Sequence, residues 1–194
     1  MLEPVREIQE LMQELTQVCD CYVSGGSLLR RDSKDVDIVV LGKKEDYGMA
    51  VKRVLGKKED YGMAIKRVLA GLNSEPTDFV SSGESQGWKW DGLTKAKYKG
   101  TDIDILYTDM SSIMDVMHTY PLTIQQVAWR PHTGFMTTAA FTYESLEVSE
   151  YVELSDEGVK SVVTKYLGYY PDLDIGPRCG VVVRSLIAGA RLPF

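Results

Sequence analysis

Over residues 4–18 the apolar positions Val5, Ile8, Leu11, Met12, Leu15 and Val18 recur at three- and four-residue steps, with Pro4 near the start. That spacing predicts an opening α-helix whose apolar stripe covers a sheet. The period then shortens. Cys19–Ser24 reads as a first strand, and Asp35–Leu41, sequence DVDIVVL, as a second in which acidic residues alternate with aliphatic ones before the run turns wholly aliphatic. Leu93–Tyr98, the Lys99-Gly100 turn and Thr101–Tyr107 predict an antiparallel hairpin. Gly71–Thr77 reads as a loop, Asp78–Ser81 as the opening of a short strand, and Ser81–Gly87 as the most linker-like segment, being polar and rich in Ser and Gly. Ser111 or Ser112 caps a helix over Ile113–Thr119, and a second helix is expected through Leu122–Trp129 behind Pro121. Beyond Trp129, Arg130–Gly134 is a loop, Phe135–Phe141 is too evenly apolar to classify, Asp156–Tyr166 is a helix ending at Gly168, and Cys179–Leu192 is a docked helix or strand.

One segment breaks the ordinary pattern. Residues 40–53 read VLGKKEDYGMAVKR and residues 54–67 read VLGKKEDYGMAIKR, a tandem copy in which only Val51 has become Ile65. Two copies are too few for a repeat architecture, which needs at least about three units to bury a continuous core. Fourteen residues of α-helix turn through about 1400°, close to four full turns, so the second copy nearly preserves the face of the first. Gly56 and the Lys57-Lys58 pair interrupt that face, which predicts two helical pieces with a break near Leu55–Lys58. Either the copies are interchangeable, one packing between the strands while the other extends, or the extra segment is an oligomerisation arm or acceptor-recognition lever.

Composition sets the outer bounds. At 194 residues, with 44% hydrophobic and 26% charged residues, the chain has the makeup of one globular domain with a modest extension. No apolar run is long enough to cross a bilayer, and the start, Met1-Leu2-Glu3-Pro4, lacks the basic and apolar stretches of a signal peptide, so a cytoplasmic protein with no membrane contact is expected. Of the three cysteines, Cys19, Cys21 and Cys179, the first two are expected as small buried residues of the first strand, since a Cys-x-Cys zinc site needs further ligands and His118 and His132 are remote in sequence. A net charge of −6 argues against a broad electrostatic grip on nucleic acid. Lys89, Lys95, Lys97 and Lys99, interleaved with Trp88, Trp90 and Tyr98, admit two readings. They are a base-stacking, phosphate-neutralising surface, or the lysines of a protected edge strand.

The chemistry concentrates in Gly25-Gly26-Ser27 and Asp35-Val36-Asp37. A glycine pair lets the backbone bring its N–H groups close to phosphate oxygens, and Ser27 adds a hydroxyl. Asp35 and Asp37, at i and i+2 of a strand, present both carboxylates on one face. Hard divalent cations take such oxygen ligands, and two Mg²⁺ ions about 3.5–4 Å apart clamp an in-line displacement at phosphorus. A third carboxylate lies on the later strand, where Asp102 and Asp104 share a face. Asp104, between Ile103 and Ile105, has the more apolar setting and is preferred; Asp102, beside the Lys99-Gly100 turn, is the reserve.

Together these residues resemble the signature of the DNA polymerase β-type nucleotidyltransferase superfamily: a Gly-Ser turn, Asp-x-Asp after a short gap, and a later hydrophobic-Asp-hydrophobic strand. Arg30, three residues beyond Ser27, matches a position where many small members carry arginine. The resemblance spans roughly residues 20–110. It implies an α+β fold with a mixed β-sheet and flanking helices, in which residues 1–110 form the catalytic core and 111–194 a helical or mixed extension packed on it. It further implies Mg²⁺-dependent transfer of a nucleoside monophosphate from an NTP such as ATP, with release of pyrophosphate. Gly25, Gly26, Ser27 and Arg30 would then contact the triphosphate, Asp35, Asp37 and Asp104 would hold two metal ions, and Asp104 would also serve as base. The tRNA-end-adding branch is matched in part, through Gly25-Gly26 and Arg31-Asp32, with a spacing one residue different. An RNA 3′ end, a small-molecule hydroxyl and a protein side chain all suit the acceptor role. Arg130 and His132 reach a triphosphate if their loop folds over the site, and otherwise are surface groups; His118 is expected as a half-buried helical residue. A nucleotide-binding sensor without turnover and a metal-independent partner-binding protein are the alternatives.

Overall fold

Strand β2 (Asp35–Leu41) divides the molecule into two faces. Its even residues Val36, Ile38 and Val40 are wholly buried on one side, and its odd residues Asp35, Asp37, Val39 and Leu41 point to the other. The computed structural model describes residues 6–29, 35–42, 61–80, 83–85, 88–153, 155–177 and 179–180. Among them, β2 lies in a seven-stranded mixed sheet ordered β3 (Glu75–Val80), β6 (Gly92–Tyr98), β7 (Thr101–Thr108), β2, β1 (Cys21–Ser24), β8 (Val127–Arg130) and β9 (Gly134–Thr137). β2 and β7 run parallel; the other neighbours are antiparallel.

Helices α1 (Gln9–Val18) and α2 (Tyr61–Gly71) cover the even face. Leu11, Met12 and Leu15 of α1, Ile8 just ahead of it, and Ile65 and Leu69 of α2 pack on Val36, Ile38, Val40, Ile103 and Ile105. Each such side chain withdrawn from water contributes about 1.5–3 kcal/mol. Helix α3 (Ile113–His118), capped by Ser112 Oγ accepting from Met114 N at 3.1 Å, covers only part of the odd face. Its Ile113, Val116 and Met117 lie with Tyr120 on Val39, Leu41, Leu93 and Leu106. The helix does not reach the N-terminal half of that face, where the acids lie. Helix α4 (Asp156–Tyr169), capped by Ser155, forms a third cluster with Leu122, Ile124, Leu146 and Val148. A hairpin of β4 (Gly83–Ser85) and β5 (Trp88–Trp90) and a parallel pair of β10 (Ser145–Leu146) and β11 (Asp174–Ile175) complete the described elements.

Several expectations change. The helix expected over Leu122–Trp129 is a 3-10 turn at Thr123–Gln125 followed by β8. Here tertiary pairing decides, because Val127–Arg130 hydrogen-bonds to both β1 and β9, and Gln126 is buried between Ser149 and Thr138. Gly71 ends α2 and β3 already begins at Glu75, so the loop expected at Gly71–Thr77 is shorter; within the linker-like Ser81–Gly87 segment, Gly83–Ser85 forms strand β4, paired with β5. Helix α4 continues through Gly168 to Tyr169. The hairpin of β6 and β7 forms as expected, its Lys99 and Gly100 both at positive φ, the two-residue turn whose twist matches that of the strands. But β6 lies inside the sheet, between β3 and β7, which rules out the edge-strand reading of its lysines. The outer β3 carries Pro76 and a register shift beside it, features suited to an edge. In the duplicated segment, Val40 and Leu41 of the first copy close β2, and Tyr61–Arg67 of the second copy lies in α2. The break expected near Leu55–Lys58 lies outside the described residues.

Candidate active site

Ser24 ends β1 and the chain tightens at once into a 3-10 turn over Gly25–Leu28, with Gly25 at φ +80°. Ser24 is wholly buried. Its Oγ donates to the Val127 carbonyl at 3.1 Å and lies 3.0 Å from the donating Tyr120 hydroxyl, so β8 and the end of α3 hold the entry to the turn. Burial pushes the Tyr120 phenol well above its ordinary pKa, and the nearby charge of Asp37 adds to the shift. Ser27 Oγ donates to the Ser24 carbonyl at 3.4 Å, closing the turn on itself. A Cβ on Gly26 would overlap the Tyr166 hydroxyl of α4. Glycine is required there by the aromatic roof above it.

The carboxylates meet through the parallel pairing of β2 and β7. Asp35 stands beside Asp102 and Asp37 beside Asp104 in exact strand register, on chains about 4.8 Å apart. Asp35, Asp37 and Asp104 line one cleft of about 270 Å³ together with Ser24–Ser27, whereas Asp102 does not line it. Asp102 is 64% exposed and pairs with Lys97 at 3.6 Å; Asp104 is 31% exposed and its Oδ2 lies 3.3 Å from Lys95 Nζ. The acids occupy the open, N-terminal ends of their strands, where burial is incomplete. Their charge therefore opposes folding less than an acidic pair deep in an aliphatic strand would.

The donor set consists of carboxylates, suited to a hard cation such as Mg²⁺. Among the described residues no three His, Cys, Asp or Glu side chains already converge as a metal cluster. Asp104 is turned toward Lys95. The residues fit a divalent ion in type, and they line one cleft, where one carboxylate oxygen of Asp104 is in contact with the Lys95 ammonium.

The other candidates fall elsewhere. Arg30 lies outside the described residues. Arg130 reaches Asp20 at 2.7 Å and the Tyr22 hydroxyl at 2.9 Å, at the far end of β1 from the turn, and His132 sits with it in the β8–β9 connection facing Gln13 and Glu14. Neither lines the cleft. His118 is half-buried and stacks on Tyr151. Sequence patterning missed Lys165, Tyr166 and Tyr169 of α4, which line the cleft; Trp90, Tyr120 and Gln125 line it as well. The signal was the aromatic cluster Tyr166, Tyr169 and Tyr170 beside Lys165, too rich in polar tips for an ordinary core stripe.

Solved structures share this fold. A tRNA-processing enzyme in an apo form superposes with a TM-score of 0.62 at 12% identity, over 93% of this chain and 47% of that one. A tRNA nucleotidyltransferase complexed with a primer tRNA and an incoming ATP analogue gives 0.60 at 11% identity, over 93% and 50%. The complex of a CCA-adding enzyme with CTP gives 0.56 at 20% identity, over 94% and 42%. The chain has a nucleotidyltransferase fold. It spans half or less of the length of these proteins. No family model and no curated protein sequence matches the chain.

Proposed function

We propose that this cleft transfers a nucleoside monophosphate from an NTP to an acceptor hydroxyl with release of pyrophosphate, in a reaction dependent on two Mg²⁺ ions. The observation that carries the reading is the convergence of Asp35, Asp37 and Asp104 on one cleft with the Gly25-Gly26-Ser27 turn. The solved nucleotidyltransferases of like fold support it, and the primer tRNA and nucleotides in two of those structures favour an RNA 3′ end as the first acceptor to try.

In this reading the backbone N–H groups of the turn and the ammonium of Lys165 hold the triphosphate from opposite sides of the cleft. Arg30 is assigned to the same task from its position after the turn. Asp35, Asp37 and Asp104 hold the cations, which when bound polarise the α-phosphate and lower the pKa of the acceptor hydroxyl. Asp104 accepts the proton of that hydroxyl. The acceptor oxygen forms its bond to the α-phosphorus as the bond to the pyrophosphate oxygen breaks, and the electron pair leaves with pyrophosphate. Tyr166 and Tyr169 roof the donor side and exclude water.

A second reading, nucleotide binding without turnover, draws on the Lys95 ion pair that occupies Asp104. Incubation with each of the four α-labelled NTPs, Mg²⁺ and short oligoribonucleotides separates the two. Labelled product and pyrophosphate from the wild type, both lost in Asp37→Asn at unchanged thermal stability, are expected; nucleotide binding with no pyrophosphate from any donor and acceptor would establish the sensor.

A further inference from the structure

The lysines of β6 are not edge protectors, and each faces an acid. Lys95 stands in register with Asp104, and Lys97 with Asp102. The two pairs differ in setting. Lys97 and Asp102 are 63% and 64% exposed and lie outside the cleft, while Lys95 and Asp104 are 49% and 31% exposed and Asp104 lines it. A third lysine, Lys99, is bound to Glu10 at 2.7 Å, so the apparent basic run of this strand is matched acid by acid.

We infer that Lys95 is a positioning residue that acts through Asp104 as its built-in counter-cation, competing with the divalent ion for the third carboxylate. The inference rests on the reading of Asp35, Asp37 and Asp104 as cation ligands. Asp37 and Asp104 stand directly side by side on paired strands, and like charges so placed repel. Lys95 Nζ, 3.3 Å from Asp104 Oδ2, offsets that repulsion when no cation is present. The same contact engages one of the two oxygens that Asp104 offers a divalent ion, and an ammonium that close also repels the incoming ion. Loading the cation therefore swings Lys95 away and lets Asp104 join Asp37. Until metal arrives, the third carboxylate is held by Lys95 beside the other two.

Two effects of opposite sign follow from removing the ammonium, which a merely structural lysine would not produce. Lys95→Met should lower the melting temperature of the metal-free protein while tightening Mn²⁺ binding, measured by isothermal titration and by electron paramagnetic resonance of free Mn²⁺. The expected gain in affinity is about fivefold, matching roughly 1 kcal/mol for a half-exposed pair. Lys95→Arg should stay within about twofold of the wild type, and so should Lys97→Met, whose carboxylate partner lies outside the cleft. In an Asp104→Asn background Lys95→Met should no longer tighten binding. Mn²⁺ affinity equal to or weaker than wild type in Lys95→Met, or tightening that persists with Asn at 104, overturns the role of Lys95 while leaving the cation site in place. Absence of Mn²⁺ binding by the wild type and every variant overturns the cation-site reading itself, and this inference with it.

Discussion

Gly26→Ala tests the contact that joins the turn to α4. The glycine has no free space above it: an added Cβ would overlap the Tyr166 hydroxyl and approach Cζ of the same ring to 3.1 Å. Tyr166 is 4% exposed and packed among Val159, Val162 and Val163, so the ring cannot move without disturbing that cluster. Overpacking of this kind costs about 1–3 kcal/mol. Taking ~2 kcal/mol, and ~2–4 °C of melting temperature per kcal/mol for a chain of this size, the variant should melt about 4–8 °C below wild type. Tyr166→Phe removes the overlapping oxygen and leaves a contact tight by only a few tenths of an ångström, so the double variant should recover most of the loss. The assay is a double-mutant cycle read by circular dichroism and calorimetry. If Gly26→Ala melts within about 1 °C of wild type, or Tyr166→Phe gives no recovery, the glycine is not there to make room for the ring.

Three further outcomes follow. Because burial raises the Tyr120 phenol in the folded protein while an unfolded tyrosine ionises near pH 10, the stability it carries is complete below about pH 10 and declines above it. Tyr120→Phe should cost about 1 kcal/mol at neutral pH through the lost bond to Ser24, yet flatten the alkaline decline of the urea midpoint; an equally steep decline in the variant would place its origin elsewhere. Ile65→Val, which makes the two duplicated copies identical, removes a methylene from a wholly buried side chain of α2 and should destabilise by about 0.5–1.5 kcal/mol in chemical denaturation. Deleting Gly42–Leu55 joins Leu41 to Gly56 and restores the residues that follow β2, GKKEDYGMAIKR in place of GKKEDYGMAVKR. Soluble protein with wild-type circular dichroism is expected, and aggregation on that deletion would show the extra copy to be part of the fold.

How far the chain could be read in advance depended on the range of the forces involved. The β6–β7 hairpin, the Ser112-capped helix and the apolar stripe of α1 were legible because alternation, helical spacing and capping act over a few residues. Strand β8 was not, since Val127–Arg130 is drawn into extension by pairing with β1, far away in sequence, as well as with the nearby β9. Likewise Lys165, Tyr166 and Tyr169 read locally as a helix face, and only the packing of α4 over Gly26 brings them to the cleft.

The sequence by itself determined which residues can do the chemistry: a glycine-rich turn, two acids on one face of a strand and a second acidic strand are local patterns, set by backbone period and side-chain type. What only the tertiary structure decided is which of them meet. The parallel register that sets Asp104 beside Asp37, the separation of Asp102 from the cleft, and the Lys95 contact on Asp104 depend on how β2, β7 and β6 align across the sheet. A shift of one residue in that pairing would have turned every one of those side chains to the opposite face.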